Sequence, residues 1–450
     1  MLRAPAKALA KGLLKALEAR DRRRARTAPP RSGREVRILL LHANGMGGTI
    51  RTVFNLAGHL ARTHDVEIVS VVRERETPFF PVPPGVRIRY LDDRLPRRRG
   101  LLSRFPSRLV PKDEAAYHRF SLRSDLKVVR YIRSRRQGIL ITTRPGLNLI
   151  AARVAPPEII TIGQEHANLA SHEPGVRARI RRRYGRLDAL VTLTRADLRD
   201  YERVLRERPA VLAQIPNAVT RLGGGPSPLT DKTAVTVGRL SHVKGYDLLI
   251  RAWAHVAARH PDWTLRIFGD GPRRAKLQES IGRRGLTDRV FLEGSVEDVG
   301  AELEKASMFV LSSRREGMPL VVLEAMSKGV PVVSYDCPTG PAELITDGHD
   351  GLLVQPGKIH AMADAICAVI EDEELRGRLA AHGLETAAAY DLDVIGARWD
   401  ELLTALVERR AKRATGPEPT AKPTSADTRE SRTRIGVAEH RNETGAKLPD

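Results

Sequence analysis

The feature that most constrains the fold of this chain is an alternation of short β-branched runs with helical segments, which occurs twice along its length. In the first half, short runs rich in Val, Ile and Leu predict strands. These runs are Val36–His42, Val66–Val71, Val86–Leu91, Ile139–Thr142, Ile159–Ile162, Leu190–Leu193 and Val211–Ile215. Between them, the spacing of apolar residues predicts helices over Thr49–Ala61 and Ala115–Arg133.

The alternation of strands and helices begins again after Arg221–Thr230. This stretch has three consecutive glycines and two prolines and predicts a linker. The predicted strands of the second half are Ala234–Val237, Thr264–Phe268, Arg289–Leu292, Met308–Ser312 and Val330–Ser334. The predicted helices are Tyr246–Arg259, Pro272–Arg284, Pro319–Lys328 and Ile359–Ile370. Short apolar strands that alternate with helices predict parallel sheets covered on both faces. The predicted fold class is therefore α/β, with two doubly wound Rossmann-like domains that face each other across a cleft.

The composition shifts along the chain predict six parts. They are a basic amphipathic N-terminal arm (1–34), a first Rossmann-like domain (35–220), a linker (221–232), a second Rossmann-like domain (233–395), a C-terminal helix (396–411) and a polar, disordered tail (412–450). Both tails are expected to be flexible.

The net charge of +22 at pH 7 points to an anionic partner. Nucleic acid, an acidic membrane surface and a phosphorylated substrate all fit this charge. Aromatic side chains interleaved with basic ones, which stack on bases, are absent from the sequence, and this disfavours nucleic acid.

The two cysteines, Cys337 and Cys367, have no metal-ligand spacing and are too few for a disulfide framework. They favour a reduced, cytoplasmic compartment. No apolar run approaches the roughly 18–20 residues that span a bilayer. Lys7, Lys11 and Lys15 interrupt the only candidate for a signal peptide. The sequence therefore predicts a cytoplasmic protein, with peripheral attachment to the inner face of the plasma membrane left open.

The segment Glu316-Gly-Met-Pro-Leu-Val-Val-Leu-Glu324 carries the most specific chemistry. Gly317 lets a ligand approach the backbone, and Pro319 suits the first turn of a helix. Glu324 stands among apolar residues, where a carboxylate is costly unless hydroxyls donate to it, as those of a sugar would. The alternative is that Glu316 only complements the helix dipole and that Glu324 is a surface residue.

This segment, read as E-G-x-P-x-x-x-x-E, resembles the signature of the retaining glycosyltransferases of family 4, the glycosyl transferases group 1, which have the GT-B fold. The resemblance extends over roughly residues 36–400. It implies that Glu316 holds the transferred hexose and Glu324 the ribose of the nucleotide. The stretch between them, Gly317, Met318, Pro319 and Leu320, would contact the donor. The first domain would bind the acceptor and the second the nucleotide sugar.

A second similar segment is Val237–Gly245, directly after the first strand of the second domain. Two cations on a glycine-flanked loop, Arg239 and Lys244, are suited to neutralise a diphosphate. Plain solvation is the alternative in so basic a chain. The resemblance implies the diphosphate role, in which both cations stabilise the leaving group.

Smaller matches add further donor contacts. The resemblance implies that the backbone near Val296 touches the base and that Gly47 and Gly48 let the first domain approach the donor phosphates. A Gly-x-Gly-Gly loop alone is weak, because dinucleotide-binding folds share it. His166 is similar in setting to a family histidine near the donor sugar, although a lone histidine is usually structural. Gly269 and Gly271 are expected to serve a turn.

The expected catalytic residues are His166, Glu316, Arg239 and Lys244, with no cofactor and no metal. A nucleotide diphosphate sugar is the co-substrate. Asp391-Leu-Asp393 is the one tempting metal motif, but helix capping explains it better. The family is usually given a front-face mechanism, in which the departing phosphate takes the proton of the acceptor.

Arginines crowd one predicted helix of the first domain: Arg177, Arg179, Arg181, Arg182, Arg183 and Arg186. Together with Arg97–Arg99 and the N-terminal arm, they suggest an anionic leaflet and a lipid-linked or cell-envelope glycan as acceptor. Solvated arginines are the alternative.

The predicted function is transfer of a hexose from a UDP-sugar with retention. A nucleotide-sugar epimerase of the same fold and a non-catalytic nucleotide-sugar or nucleic-acid binder remain alternatives.

Overall fold

A computed structural model describes residues 34–95, 100–219 and 222–415 of the chain. Most of the predicted N-terminal arm, the predicted basic run Arg97–Arg99, the start of the predicted linker and most of the predicted tail lie outside these residues. No helix in the described ranges combines the length and the apolar character that crossing a bilayer requires.

The first sheet has seven parallel strands in the order β3-β2-β1-β4-β5-β6-β7. The strands are β1 (Glu35–Leu40), β2 (Asp65–Arg73), β3 (Val86–Asp93), β4 (Ile139–Thr142), β5 (Ile160–Gln164), β6 (Ala189–Thr192) and β7 (Val211–Gln214). The helices among them are α1 (Gly48–Leu60), α2 (Leu122–Ser134), α3 (Pro145–Val154), α4 (Pro174–Arg183) and α5 (Arg195–Val204). Buried apolar clusters lie on both faces of this sheet, as a doubly wound domain requires.

The second sheet has six parallel strands in the order β10-β9-β8-β11-β12-β13. The strands are β8 (Thr233–Val237), β9 (Thr264–Phe268), β10 (Val290–Gly294), β11 (Met308–Leu311), β12 (Val332–Tyr335) and β13 (Leu352–Val354). The helices are α6 (Tyr246–Arg259), α7 (Arg274–Arg283), α8 (Val299–Glu304), α9 (Leu320–Met326), α10 (Pro341–Leu344), α11 (Ile359–Glu371) and α12 (Glu373–Ala388). The prediction of two doubly wound parallel α/β domains is confirmed.

One predicted helix is wrong in its first part. The apolar spacing predicts a helix from Ala115, but α2 begins only at Leu122. Ser121 and Ser124 form a capping box, which sets the start of the helix there. The residues before it form only a short 3-10 helix over Tyr117–Arg119. The carboxylate of Asp125 accepts from the backbone N–H groups of Arg108 and Leu109.

The last helix, α13 (Leu392–Thr415), returns from the second domain to the first. Its apolar side chains join the core beneath the first sheet, and among them Trp399 is 2% exposed. Its Asp400 lies 2.8 Å from the Nε2 atom of His59 at the end of α1. The chain thus crosses between the domains twice, which ties them together.

The carboxyl ends of both sheets meet at the cleft, where parallel sheets bind their ligands. The loop after β5 reaches the loop after β11, because the side-chain amide of Asn168 donates to the backbone oxygen of Glu316 at 2.9 Å. A second contact between the domains joins α10 to α5. The carboxylate of Glu343 accepts from the backbone N–H groups of Arg195 and Ala196, at the start of α5.

Candidate active site in the interdomain cleft

An ion pair joins two of the predicted site residues. The Nζ atom of Lys244 lies 2.7 Å from Oε1 of Glu316, and the hydroxyl of Ser313 donates to the same oxygen. The Glu316 side chain is 11% exposed and that of Lys244 24% exposed. Residues 72 positions apart in the sequence therefore meet as a partly buried pair.

The backbone of the Lys244 loop is locked against the strand that leads to Glu316. Gly245 has φ +67°, and a Cβ at this position would overlap the carbonyl oxygen of Ser312. The hydroxyl of Ser312 donates to the backbone oxygen of Lys244 at 2.9 Å. Only glycine allows this close approach, which sets the distance between the lysine and the acid.

Arg239 lies on the same loop, but its side chain does not join the pair. It is exposed and makes no ion pair or side-chain hydrogen bond with any described residue. Its backbone is braced by the loop after β9, because the N–H of Leu240 donates to the oxygen of Asp270 at 3.0 Å. A Cβ at Gly269 would collide with the backbone oxygen of Gly238 and one at Gly271 with that of Leu240, so these glycines allow the two loops to pack closely.

Glu324 is not a surface residue. Its side chain is 8% exposed, and Oε1 lies 2.7 Å from the NH1 atom of Arg51 on α1. Burial raises the pKa of Glu324, and the charge of Arg51 opposes this shift. Arg51 was not predicted from the sequence, where its only local signal is that a cation follows Gly47 and Gly48 on the first helix.

The stretch between the two acids packs across the cleft. A Cβ on Gly317 would lie 2.9 Å from the backbone oxygen of His166, and the sulfur of Met318 accepts from the backbone N–H of Asn217 at 3.2 Å. Helix α9 begins at Leu320, one residue later than predicted, because Pro319 has ψ 89° and caps the helix from outside. This stretch therefore contacts the first domain directly.

The loop after β12 supports the same stretch from behind. Thr339 donates to the backbone oxygen of Glu316 at 2.9 Å, and a Cβ on Gly340 would lie 3.0 Å from the ring of Pro319. In this loop Cys337 is buried, and desolvation raises the pKa of its thiol to about 12. Cys337 is therefore a packed thiol rather than a nucleophile.

His166 follows β5 and lies beside Gly317. Both ring nitrogens are inaccessible to solvent and have no hydrogen-bond partner among the described residues. Burial lowers the pKa of His166 to about 4. The ring is therefore neutral at pH 7 and offers one donor and one acceptor.

Residues 224–386 match the family described as glycosyl transferases group 1. The chain carries a glycosyl transferases group 1 domain. Glu316, Glu324, Lys244 and Arg239 all lie within it, whereas His166 and Arg51 belong to the preceding domain.

Two relatives extend the match beyond the group 1 domain. The chain is 40% identical to an exopolysaccharide phosphotransferase of Streptomyces coelicolor over 84% of its own length, but it spans only 41% of that protein. It is 27% identical over 79% of its length to an N-acetyl-D-galactosaminyltransferase of Campylobacter jejuni, of which it covers 95%.

The solved structures include similar folds. TarM of S. aureus, in a complex with UDP, superposes with a TM-score of 0.69 at 15% sequence identity, over 82% of this chain and 99% of TarM. The predicted GT-B fold is confirmed.

The first domain holds a buried polar cluster next to His166 in the sequence, and its members were not predicted to lie together. Glu165, which is fully buried, accepts from the amide of Asn148 at 2.7 Å and from the hydroxyl of Tyr184, and lies 3.4 Å from Nε2 of His172. Asp197 accepts from the backbone N–H of Leu169 at 2.8 Å, and burial raises its pKa to about 7. These contacts anchor the loop that carries His166.

Three further residues, Gly47, Gly48 and Val296, were predicted to contact the donor. Gly47 has extended backbone, and a Cβ on Gly48 would meet no atom within 4 Å, so packing within the protein does not require glycine at either position. Val296 is half-buried in the loop after β10. The ligand roles of these residues stay predictions.

The Asp391-Leu-Asp393 motif caps α13, as predicted. The carboxylate of Asp391 accepts from the N–H of Asp393, whose own carboxylate lies 2.8 Å from Arg62. Within the described ranges, the residues that come close enough to share a metal ion are His260, Cys367 and Glu371. They lie at the far end of α6, about 20 Å from its start beside Lys244, and Glu371 is also paired with Arg259.

Proposed function

We propose that the chain is a retaining glycosyltransferase that moves a hexose from a nucleotide diphosphate sugar, with UDP as the nucleotide, to a cell-envelope or lipid-linked glycan. One observation carries the proposal. Glu316 and Glu324 flank a Gly-Pro turn at the cleft, and each acid is held by a cation, Lys244 and Arg51 respectively. A buried carboxylate is costly unless it has a partner, and here a cation supplies that partner. Each acid can still accept further hydrogen bonds from sugar hydroxyls.

In this mechanism the bond between the anomeric carbon and the diphosphate oxygen breaks, and the hydroxyl of the acceptor attacks the same face. The departing phosphate takes the proton of that hydroxyl. Negative charge grows on the diphosphate, and Lys244 and Arg239 on one loop stabilise it. Arg239 makes no side-chain contact with the described residues, so its guanidinium is available to a phosphate.

Two residues orient the sugar. Glu316 accepts hydrogen bonds from the hexose hydroxyls, while Ser313 and Lys244 fix its carboxylate. His166 is neutral because it is buried, and its ring nitrogens have no partner among the described residues, so a turn of the ring towards the cleft would let one of them bond another hydroxyl. No step uses a metal ion.

The names of similar proteins support the substrate classes. The TarM complex contains UDP and alpha-GlcNAc-glycerol, and the C. jejuni relative is named for a PP-undecaprenol glycan. The S. coelicolor relative is named for exopolysaccharide. This chain spans only 41% of that protein and carries the group 1 domain, which favours sugar transfer over phosphate transfer.

We also propose that helix α4 docks on an anionic membrane surface. Arg177, Arg179, Arg181 and Arg182 are exposed there and form no ion pair with any described residue. Flotation of the full chain with liposomes that contain anionic lipid or none tests this, because basic residues near a surface are attracted by anionic lipid. Binding that requires anionic lipid and is lost when Arg179 and Arg182 become Glu supports the proposal, and equal flotation of all samples contradicts it.

The activity is tested by incubating the purified full chain with UDP-, GDP- and ADP-hexoses and a glycan acceptor. We expect release of UDP that depends on acceptor, is lost in Glu316→Ala, and gives a product of unchanged anomeric configuration by NMR. Turnover of the sugar nucleotide without acceptor would favour an epimerase. Full function of Glu316→Ala would favour a non-catalytic binder.

A further inference from the structure

Arg51 is the first-domain partner of a second-domain acid. It lies in the first turns of α1, and its NH1 atom is 2.7 Å from Oε1 of Glu324, across 273 positions of sequence. The Arg51 side chain is 22% exposed and that of Glu324 is 8% exposed, so water screens the pair weakly. The backbone N–H of Arg51 donates to the oxygen of Gly47 at 3.0 Å, so the contact lies beside the predicted glycine loop.

Glu324 needs a partner because of where it lies. Its helix neighbours Val322, Leu323, Ala325 and Met326 are all fully buried. A carboxylate in such surroundings tends to take up a proton and then loses its strength as an acceptor. The positive charge of Arg51 opposes this tendency.

The contact uses one carboxylate oxygen only. Oε1 of Glu324 accepts from Arg51, and no described residue donates to Oε2. A carboxylate offers about four acceptor positions on its two oxygens. Arg51 can therefore hold Glu324 in place while the other oxygen remains available to hydroxyls.

We infer that Arg51 is a positioning residue that fixes and orients Glu324 for the hydroxyls of the donor ribose, so that donor affinity depends on contact between the two domains. This inference rests on the proposed function. Arg51 would act through Glu324 and would not itself touch the ribose. Removal of Arg51 should then weaken recognition of the ribose specifically, rather than binding of the diphosphate.

A cycle of variants and ligands tests the inference. Dissociation constants of UDP and 2′-deoxy-UDP are measured by calorimetry for the wild type, Arg51→Ala, Arg51→Lys and Glu324→Gln. The wild type should prefer UDP by about tenfold or more, because a hydrogen bond to a charged group is worth that much. Arg51→Ala should lower the preference to within about threefold, and Arg51→Lys should restore part of it.

The double variant Arg51→Met/Glu324→Gln controls for a loss of folding in Arg51→Ala, because it removes both charges and leaves no buried acid without its partner. It should show the same small preference as Glu324→Gln alone, since Arg51 acts only through Glu324. Arg203→Ala, an exposed arginine on α5, is the matched control and should behave as the wild type.

The outcomes separate the two proposals. If the wild type binds neither nucleotide, or binds both equally, the proposed role of Glu324 in donor binding fails. If the wild type prefers UDP and Glu324→Gln does not, but Arg51→Ala keeps the full preference, only the inference on Arg51 is overturned. A preference lost in Arg51→Ala and regained in Arg51→Lys supports it.

Discussion

Lys244 and Glu316 form a partly buried ion pair at 2.7 Å, although one follows the first strand of the second domain and the other follows its fourth. The strand order brings β8 and β11 side by side, so the loops at their carboxyl ends are neighbours. The cation proposed for the diphosphate and the acid proposed for the hexose are therefore held within one hydrogen bond of each other.

Replacement of Lys244 by alanine is expected to lower the rate of sugar transfer by about a hundredfold or more, because one charge-stabilising donor at a developing anion is worth this much. The rate of UDP release at saturating donor measures it. Lys232→Ala is the matched control, since Lys232 is 61% exposed and pairs with Asp262 away from the cleft. A variant at Lys244 that keeps its full rate would remove this residue from the mechanism.

A methyl group on Gly317 is expected to separate the two domains slightly. The added Cβ would lie 2.9 Å from the backbone oxygen of His166, which cannot move as a flexible side chain can. Overpacking of this kind costs about 1–3 kcal/mol. We expect Gly317→Ala to lower the thermal unfolding midpoint and to weaken UDP binding together.

Gly282→Ala controls for the general effect of the extra methyl group. Gly282 lies within α7, and a Cβ there would meet no atom within 4 Å. Alanine should be neutral or stabilising at this position by about 0.5–1 kcal/mol. Equal changes in the unfolding midpoint for both variants would contradict the close contact at Gly317.

Acid is expected to destabilise the fold through His166. Burial lowers the pKa of His166 from 6.5 to about 4. Between these values the unfolded chain binds a proton that the folded chain does not, so stability is lost as the pH falls, by at most about 1.4 kcal/mol per pH unit. The free energy of unfolding in urea, compared between the wild type and His166→Gln at several pH values, should show a difference that shrinks below pH 6.5. A difference that is constant from pH 7 to about 4 would argue that the ring is not buried.

Asp197, which helps to anchor the loop of His166, is expected to change the stability of the fold with pH in the opposite direction. Burial raises its pKa from 3.8 to about 7, so between these values the folded chain binds the extra proton. Its contribution to stability is lost as the pH rises through this range. Asp197→Asn should therefore remove a loss of stability on going from pH 4 to 7, and an unchanged pH profile would contradict the raised pKa.

Chelation of metal ions is expected to leave the transfer rate unchanged, because Lys244 and Arg239 supply the positive charge for the diphosphate in the proposed mechanism. Rates measured with excess EDTA and with added Mg²⁺ or Mn²⁺ check this. Loss of activity in EDTA that Mg²⁺ or Mn²⁺ restores would contradict it.

The sequence predicted the two sheets well because most strands are short, continuous apolar runs between helices of regular spacing. It missed β13, since Leu352–Val354 is too short to stand out. The apolar spacing continues through Ala115–Phe120 and so predicted that α2 begins too early, whereas the capping box of Ser121 and Ser124 starts the helix at Leu122.

The candidate site was predictable only where its residues are local in sequence. Glu316 and Glu324 share one motif, whereas the partner of Glu324 lies in the other domain. Glu165, His172 and Asp197 are brought together by tertiary packing, and none has a motif that points to another. Contacts that join distant parts of the chain leave no periodic signal in the sequence.

The most direct test of the account is the distance from the Glu324 carboxylate to the ribose in a crystal structure of the full chain with UDP. We predict that an oxygen of Glu324 lies within about 3.2 Å of a ribose hydroxyl, with Arg239 or Lys244 at the diphosphate. UDP bound elsewhere, or in the cleft with its ribose away from Glu324, would contradict the account.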